Sequence, residues 1–379
     1  MLAAEIGDQT ANGAGNPRSF LLDDLARRPA DHGEVLPRCP GHLGSEGTRG
    51  LPQVFRTLAH VARSYACLPV KIAFPTAYRE LLGDLPADVD PAWYGSLDEL
   101  EVAVVGAVAI WYHLDPRSIE RVLDSEPGLR WISYANTGMD SWPFDAIRGR
   151  DLLITNAAGL AAIPIAEYTI TCMLAAGRGL AAILTANRRG EWDSESAGDR
   201  ELNETSALIV GYGKIGQAIG SRLRAFGVDV TGARRHPDGT PGVIGPNQWQ
   251  DRLGEFDWII LTNPLTPATR HQIGGPEVAA MKPGAWIVNI ARGGLIDDDA
   301  LLPALRSGRV GGAILDAFTV EPLPADSEYW RLENVIVTPH ISWKSSRFRQ
   351  RATAMFLANL ERFRRGETLT NIVDLDAGY

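Results

Sequence analysis

Cysteine is scarce, and what there is suits neither a staple nor a metal. Cys39, Cys67 and Cys172 are odd in number, far apart and without a C-x-x-C pair. That argues against a disulfide framework and against a zinc site, so no metal is expected and a reducing, cytoplasmic setting is. Long apolar runs are lacking too. The longest, near "VAVVGAVAIWYHL" from Val102, falls short of the roughly 20 residues that span a bilayer and reads as a buried strand plus turn. Positive charge is in deficit: 37 Lys and Arg against 46 Asp and Glu leave a net charge of -9. Such a field repels phosphate backbones and anionic lipids, so neither nucleic acid nor a membrane is expected as partner. The first residues have no charged start followed by an apolar core, and "ARRPADHG" (Ala26 to Gly33) has no apolar segment behind its arginines. No export signal is expected.

What is present is a globular composition, 45% hydrophobic and 22% charged, which has enough apolar surface to exclude disorder throughout. A chain of 379 residues is expected to form two domains with something left over. Residues 1 to about 50, rich in Gly, Pro, Asp and Arg, read as a mobile arm, and "LPQVFRTLAHVARSY" reads as a short helix behind Pro52. From about Val70 the pattern alternates: "KIAF" as strand, "AYRELLG" as helix, "VAVVGAVAI" as strand, "PRSIERVLDSEPG" as helix and "LRWISYA" as strand. This is a βαβ rhythm. A long apolar helix, Ile163 to Leu180, then connects to a second such series from about Ala207 to His340. Near the end, Phe348, Ala352, Met355, Phe356, Leu360 and Phe363 recur at helical spacing up to Gly366, with the arginines between them forming a solvated face.

One stretch has a complete context. "SALIVGYGKIGQAIGSRLRAFGVDVTGARR" supplies strand, glycine turn, helix and strand in order. Gly211 makes the tight turn, Gly213 lets backbone approach a pyrophosphate, and Gly216 lets the helix pack closely on the strand. The following helix start offers free N–H groups to phosphate. An acidic residue normally ends the second strand to hold the ribose of NAD. Here Arg234 and Arg235 stand there, and two guanidinium groups suit a 2′-phosphate. NADP(H) is therefore the expected cofactor, with NAD(H) as the second choice. The other reading is two exposed arginines, with a carboxylate arriving from elsewhere.

Polar groups follow runs that read as buried strands at three places: Arg292 after "AWIVNIA", Asp316 and Glu321 in "GGAILDAFTVEP", and His340 after "NVIVTP". In open parallel sheets, ligands bind at such strand ends. Hydride addition to a ketone leaves a negative oxygen that a histidinium can protonate, which is the place for His340. A carboxylate beside the ring favours its charged form and fixes its orientation, which suits Glu321. An arginine can hold a 2-keto acid's carboxylate and polarise the carbonyl, which suits Arg292. Taken singly, each also reads as structural: a surface ion pair, a loop charge, a half-buried histidine. His271 and His113 read as structural histidines.

These residues resemble the D-2-hydroxyacid dehydrogenase family from about Val70 onward. Besides "GYGKIG", the chain carries "GEW", "NPLTPATRHQIG", "MKPGAWIVNIARGGLID", "LDAFTVEPLP" and "TPHISW" in the family's order. The resemblance implies a Rossmann cofactor domain, residues 166–343, and a flavodoxin-like substrate domain, residues 66–165 completed by 344–379, both α/β with parallel sheets. Residues 1–65 match nothing in the pattern. The resemblance also implies Arg292, Glu321 and His340 as catalytic residues, with Thr137 and Gly138 of "ANTGMD" offering backbone N–H groups to the substrate carboxylate. Around the cofactor it implies the turn Gly211, Tyr212, Gly213, Lys214, Ile215 and Gly216, then Pro264, Thr269, Ile290 and Ala291, with Asp316 near the nicotinamide. Thr319 stands where the family often has a further glutamate. The arginine pair is similar to that of NADP-preferring glyoxylate and hydroxypyruvate reductases. A small 2-keto acid and a second copy of the chain are the expected partners. A dinucleotide-sensing scaffold or corepressor on the same fold is the alternative function.

Overall fold

The structure is a computed structural model that describes residues 69–195 and 198–378. The expected arm over residues 1–50 and the expected helix behind Pro52 lie outside the described residues. Two parallel sheets organise the rest. The first holds β1 (Val70–Pro75), β2 (Val89–Tyr94), β3 (Ala109–Tyr112), β4 (Trp131–Tyr134) and β5 (Leu153–Thr155) in the order β2-β1-β3-β4-β5. That is the flavodoxin order. The second holds β6 (Ser206–Val210), β7 (Asp229–Ala233), β8 (Val243–Ile244), β9 (Trp258–Leu261), β10 (Trp286–Asn289), β11 (Gly312–Leu315) and β12 (Val335–Val337). Its order, β12-β11-β10-β9-β6-β7-β8, reverses direction between β6 and β9, as in a Rossmann fold. The central strands are short continuous apolar runs because helices cover both faces of each sheet. β3, β4, β9 and β11 are buried along their whole length.

The apolar run from Val102 to Ile110 is not one strand, which corrects the sequence reading. A helix, Leu97–Ala103, takes its first two residues, a turn follows over 104–106, and β3 begins only at Ala109. The helix is fixed by the N-cap Ser96, whose Oγ accepts from Glu99 N at 3.2 Å, while Glu99 Oε2 accepts from Gly95 N, one residue before the cap, at 2.7 Å. Val102 and Val105 consequently face solvent, 75% and 55% exposed. β2, "VDPAWY", contains a proline. It lies at the sheet edge, where a missing N–H leaves no ladder bond unmade.

The connecting helix is Ala162–Gly177, which stops short of Leu180. Gly179, at φ 62, turns the chain into a second helix, Leu180–Arg189. The first helix packs against the helix of the glycine turn, Lys214–Ala225. On the second, Leu180, Ile183 and Leu184 are exposed, and Trp192 beyond it is 98% exposed. The C-terminal helix, Phe348–Arg365, ends at Gly366 as its spacing predicts. It returns to the first sheet, where Phe356 stacks on Trp111 and Trp131 at 4.6 and 5.5 Å and Phe363 lies 5.0 Å from Trp131. Among the described residues no single helix is long and apolar enough to cross a membrane.

Candidate active site

The ends of β4 and β5 in the first sheet and of β6, β9, β10 and β12 in the second open onto one cavity of about 570 Å³. Its lining includes Thr137, Gly138, Asp140, Ile215, Pro264, Ile290, Ala291, Arg292, His340 and Trp343. An adjoining depression shares Gly138, Asp140, Arg292 and His340 and adds Glu321.

The glycine turn lies at the switch point of the second sheet. Gly211 has φ 96, and a Cβ there would overlap the backbone of Asn263, so only glycine fits between β6 and the loop after β9. The helix that follows makes its first i→i−4 bond from Gln217 N to Gly213 O, 2.8 Å. Helix geometry therefore gives the N–H groups of Lys214, Ile215 and Gly216 no partner within the helix. With the dipole behind them they form an anion cradle. The residues present thus fit a dinucleotide pyrophosphate. Tyr212 offers only backbone there, since its ring is buried against Gly232 and its hydroxyl accepts from Arg224 at 2.9 Å. Lys214 reaches across to the other sheet: Nζ donates to Ala158 O at 3.1 Å and Asn371 Oδ1 at 2.7 Å. Thr269 does not line the cavity; its hydroxyl closes a turn on Pro264 O at 2.8 Å.

At the end of β7, Arg234 is paired with Asp238, four residues on. Asp238 is also held by the Thr240 hydroxyl, and these two partners keep its carboxyl well below the ordinary carboxylate range. A carboxylate has arrived at the arginine pair from within its own loop. Arg234 Nε is buried with no hydrogen-bond partner among the described residues.

On the opposite wall, His340 Nδ1 lies 2.9 Å from Glu321 Oε2, and Glu321 Oε1 accepts from Phe318 N at 2.9 Å. The carboxylate is thus anchored at one oxygen and orients the imidazole with the other, leaving Nε2 as the ring nitrogen not committed to Glu321. His340 itself has φ 52, a left-handed conformation uncommon outside glycine. It is held by its loop: the Asp316 carboxylate, fully buried, accepts from Thr338 Oγ1 at 2.6 Å, Ile341 N at 2.9 Å and Ser342 N at 2.9 Å. Trp343 Nε1 donates to His340 O at 3.0 Å. Asp316, assigned to the cofactor by resemblance, spends its carboxylate on this loop and is absent from the cavity lining.

Arg292 follows β10, whose Asn289 side chain donates to Arg292 O at 2.8 Å. Opposite it, Thr137 is fixed by its hydroxyl on Ala157 O and by its carbonyl on Asn156 Nδ2, both 3.1 Å. A Cβ on Gly138 would overlap Arg292 Nη2, so the loop after β4 and the guanidinium are in close approach. The structure therefore gathers Thr137, Gly138, Arg292, His340 and Glu321 around one space. Sequence reasoning missed Asp140, Asp238 and Asn371. Asp238 lies four past Arg234, a spacing that could have raised it, whereas Asp140 meets Arg292 only through the fold.

Comparison with known proteins agrees with this architecture. The sequence profile described as D-isomer specific 2-hydroxyacid dehydrogenase, NAD binding domain, matches residues 170–342. The chain is 34% identical to a D-3-phosphoglycerate dehydrogenase of Methanocaldococcus jannaschii over 67% of its own length, and spans about half (49%) of that relative. It is 31% identical to glyoxylate/hydroxypyruvate reductase B of Pectobacterium carotovorum over 78% of this chain and 96% of the relative. A D-isomer specific 2-hydroxyacid dehydrogenase from Xanthobacter autotrophicus, solved in complex with NADPH and MES, superposes with a TM-score of 0.68. It is 25% identical and covers 82% of this chain and 100% of its own. The chain belongs to the D-2-hydroxyacid dehydrogenase family.

Proposed function

We propose that this chain reduces a small 2-keto acid of the glyoxylate or hydroxypyruvate class to the D-2-hydroxy acid, with NADPH preferred over NADH. The observation that carries the reading is the meeting of Arg292 and His340, the latter held by Glu321 from the adjoining depression, at a cavity that extends to Ile215 of the glycine turn. The residues 66–165 and 344–379 serve as the substrate side, and 166–343 as the cofactor side. The N–H groups of Lys214, Ile215 and Gly216 hold the pyrophosphate, and Pro264, Ile290 and Ala291 face the bound cofactor. When bound, the reduced nicotinamide supplies the hydride. Arg292 and the Thr137–Gly138 backbone hold the substrate carboxylate, which keeps the keto carbon in one orientation. His340 delivers the proton from Nε2 to the forming alkoxide, and Glu321 steadies the imidazolium. Arg234 and Arg235 take the 2′-phosphate, which carries more charge than the Asp238 carboxylate it must displace.

Two copies form the working unit in this reading. The support is the strip Leu180, Ile183, Leu184 and Trp192, large apolar side chains left in water by one protomer.

The test is steady-state reduction of glyoxylate and hydroxypyruvate with NADPH and NADH in parallel, repeated on Arg234→Asp and His340→Ala. NADPH should be preferred by the native protein, and Arg234→Asp should reverse or erase that preference. His340→Ala should lose at least about a hundredfold in turnover with NADPH affinity kept. Preference for NADH in the native protein would reject the cofactor assignment alone. Absence of turnover with either cofactor would favour a dinucleotide-sensing scaffold on the same fold.

A further inference from the structure

Lys214 opens the helix of the glycine turn in the second sheet, yet its ammonium is bound by residues of the first. Nζ donates to Ala158 O at 3.1 Å and, in a charge-assisted bond, to Asn371 Oδ1 at 2.7 Å. Both acceptors belong to residues that line the cavity. A Cβ on Gly159 would overlap Lys214 Cδ, so the stem of the lysine lies directly on the loop after β5.

Asn371 is held so as to receive the ammonium. The C-terminal segment joins the edge of the first sheet, where Ile372 bridges Thr155 and Asn371 O accepts from Asn156 N at 3.1 Å. The backbone of Asn371 is left-handed, φ 57, a region that asparagine enters more readily than most residues. Its amide nitrogen donates to Ala158 O at 3.0 Å and to Asn156 O at 3.3 Å, which leaves the amide oxygen for Lys214. An aspartate would set its second oxygen against two carbonyls.

From there the contacts continue to the loop after β4. Asn156 Nδ2 donates to Thr137 O, and Thr137 Oγ1 donates to Ala157 O, both at 3.1 Å. One connected set of hydrogen bonds thus leads from the first residue of the helix that cradles the pyrophosphate to the backbone that offers N–H groups to the substrate carboxylate. An anion seated on the helix start fixes the root of the Lys214 side chain. Less conformational entropy then remains to be lost in holding the ammonium across the cavity.

We propose that Lys214 and Asn371 are positioning residues that form a clasp between the two sheets, through which a bound dinucleotide orders the Thr137–Gly138 loop, so that cofactor and keto acid bind with positive cooperativity. The inference rests on the reductase reading for the identity of the two ligands.

The experiment measures, on the full-length protein, Kd of NADPH by isothermal titration with and without saturating oxamate, whose carboxylate stands beside an amide carbonyl that resists hydride. Hydrogen exchange over residues 137–140 is followed with and without NADPH. In the native protein oxamate should tighten NADPH by about fivefold or more, and NADPH alone should slow exchange at 137–140. Asn371→Gly, which suits the left-handed backbone, and Lys214→Met should each reduce both effects and raise KM for hydroxypyruvate more than they lower kcat. The double variant should do no more than either single one, because the two side chains act as a unit. Lys214→Arg, which keeps a cation, should retain both effects. If Lys214 serves the pyrophosphate alone, Lys214→Met will weaken NADPH without oxamate while Asn371→Gly changes nothing, and the proposal is overturned. Independent binding of the two ligands in the native protein, or intact coupling in a folded Asn371→Gly, overturns it as well. Should Asn371→Gly fail to fold, Lys214→Met, at an exposed residue, still decides it through exchange at 137–140. If oxamate and hydroxypyruvate are both refused while NADPH slows exchange at 137–140 in the native protein and not in Lys214→Met, the reductase reading fails and the clasp stands.

Discussion

His113 sits beside Tyr78 and Tyr94, ring centroids 6.2 and 5.7 Å away, with Nδ1 3.3 Å from the Tyr94 hydroxyl. Burial, and then the nearby Arg349, hold its proton affinity below the ordinary value of 6.5. Between that value and the lower folded one, the unfolded chain binds more protons than the native state. The histidine's share of stability is therefore intact above about pH 6.5 and is lost as pH falls from there toward the folded pKa. His113→Gln should flatten the acid side of a Tm-against-pH curve between pH 7 and 5; an unaltered slope would remove His113 from the account. At this scale the sequence was informative wherever a residue's partner was local or its strand ran straight into it. Arg292 and His340 each follow an apolar strand by a few residues, so their convergence could be read. Asp140 could not, because it meets Arg292 through a fold contact 152 residues along the chain.

A single carboxylate holds the loop that carries His340. Asp316 gathers three donors from Thr338, Ile341 and Ser342, and their combined pull offsets the cost of about 1–3 kcal/mol for a left-handed non-glycine residue. Asp316→Asn turns one acceptor into an N–H donor facing another donor. It should cost about 1–3 kcal/mol of stability and lower kcat by about tenfold or more while NADPH affinity is kept. Thermal unfolding beside cofactor titration checks this, and a loss of NADPH binding with kcat unchanged would return Asp316 to the cofactor. Elements were legible where hydrophobic period and punctuation agreed, as in β6 with its glycine turn or the helix that ends at Gly366. They were misread where apolar content overrode capping. The Val102 run looked like strand, although Ser96 and Glu99 already marked a helix start.

For the whole molecule, the alternation of strand and helix foretold two parallel sheets, but not their strand orders, which depend on crossovers the sequence does not display. Nor did it show which helix faces stay uncovered. If Leu180, Ile183 and Leu184 meet a second copy, Leu184→Lys should shift the solution mass from twice 41.1 kDa to a single chain, by light scattering on a sizing column. A native protein that is already monomeric would instead leave the strip to another role. The return of the C-terminal helix to the first sheet also bears on biosynthesis. Trp111 and Trp131 leave the ribosome more than 200 residues before Phe356 and Phe363 close over them. The second sheet, although translated later, has all its strands by Val337. Nascent chains halted before the last helix should thus carry a finished cofactor half beside an open aromatic core, so the part made first is the part completed last.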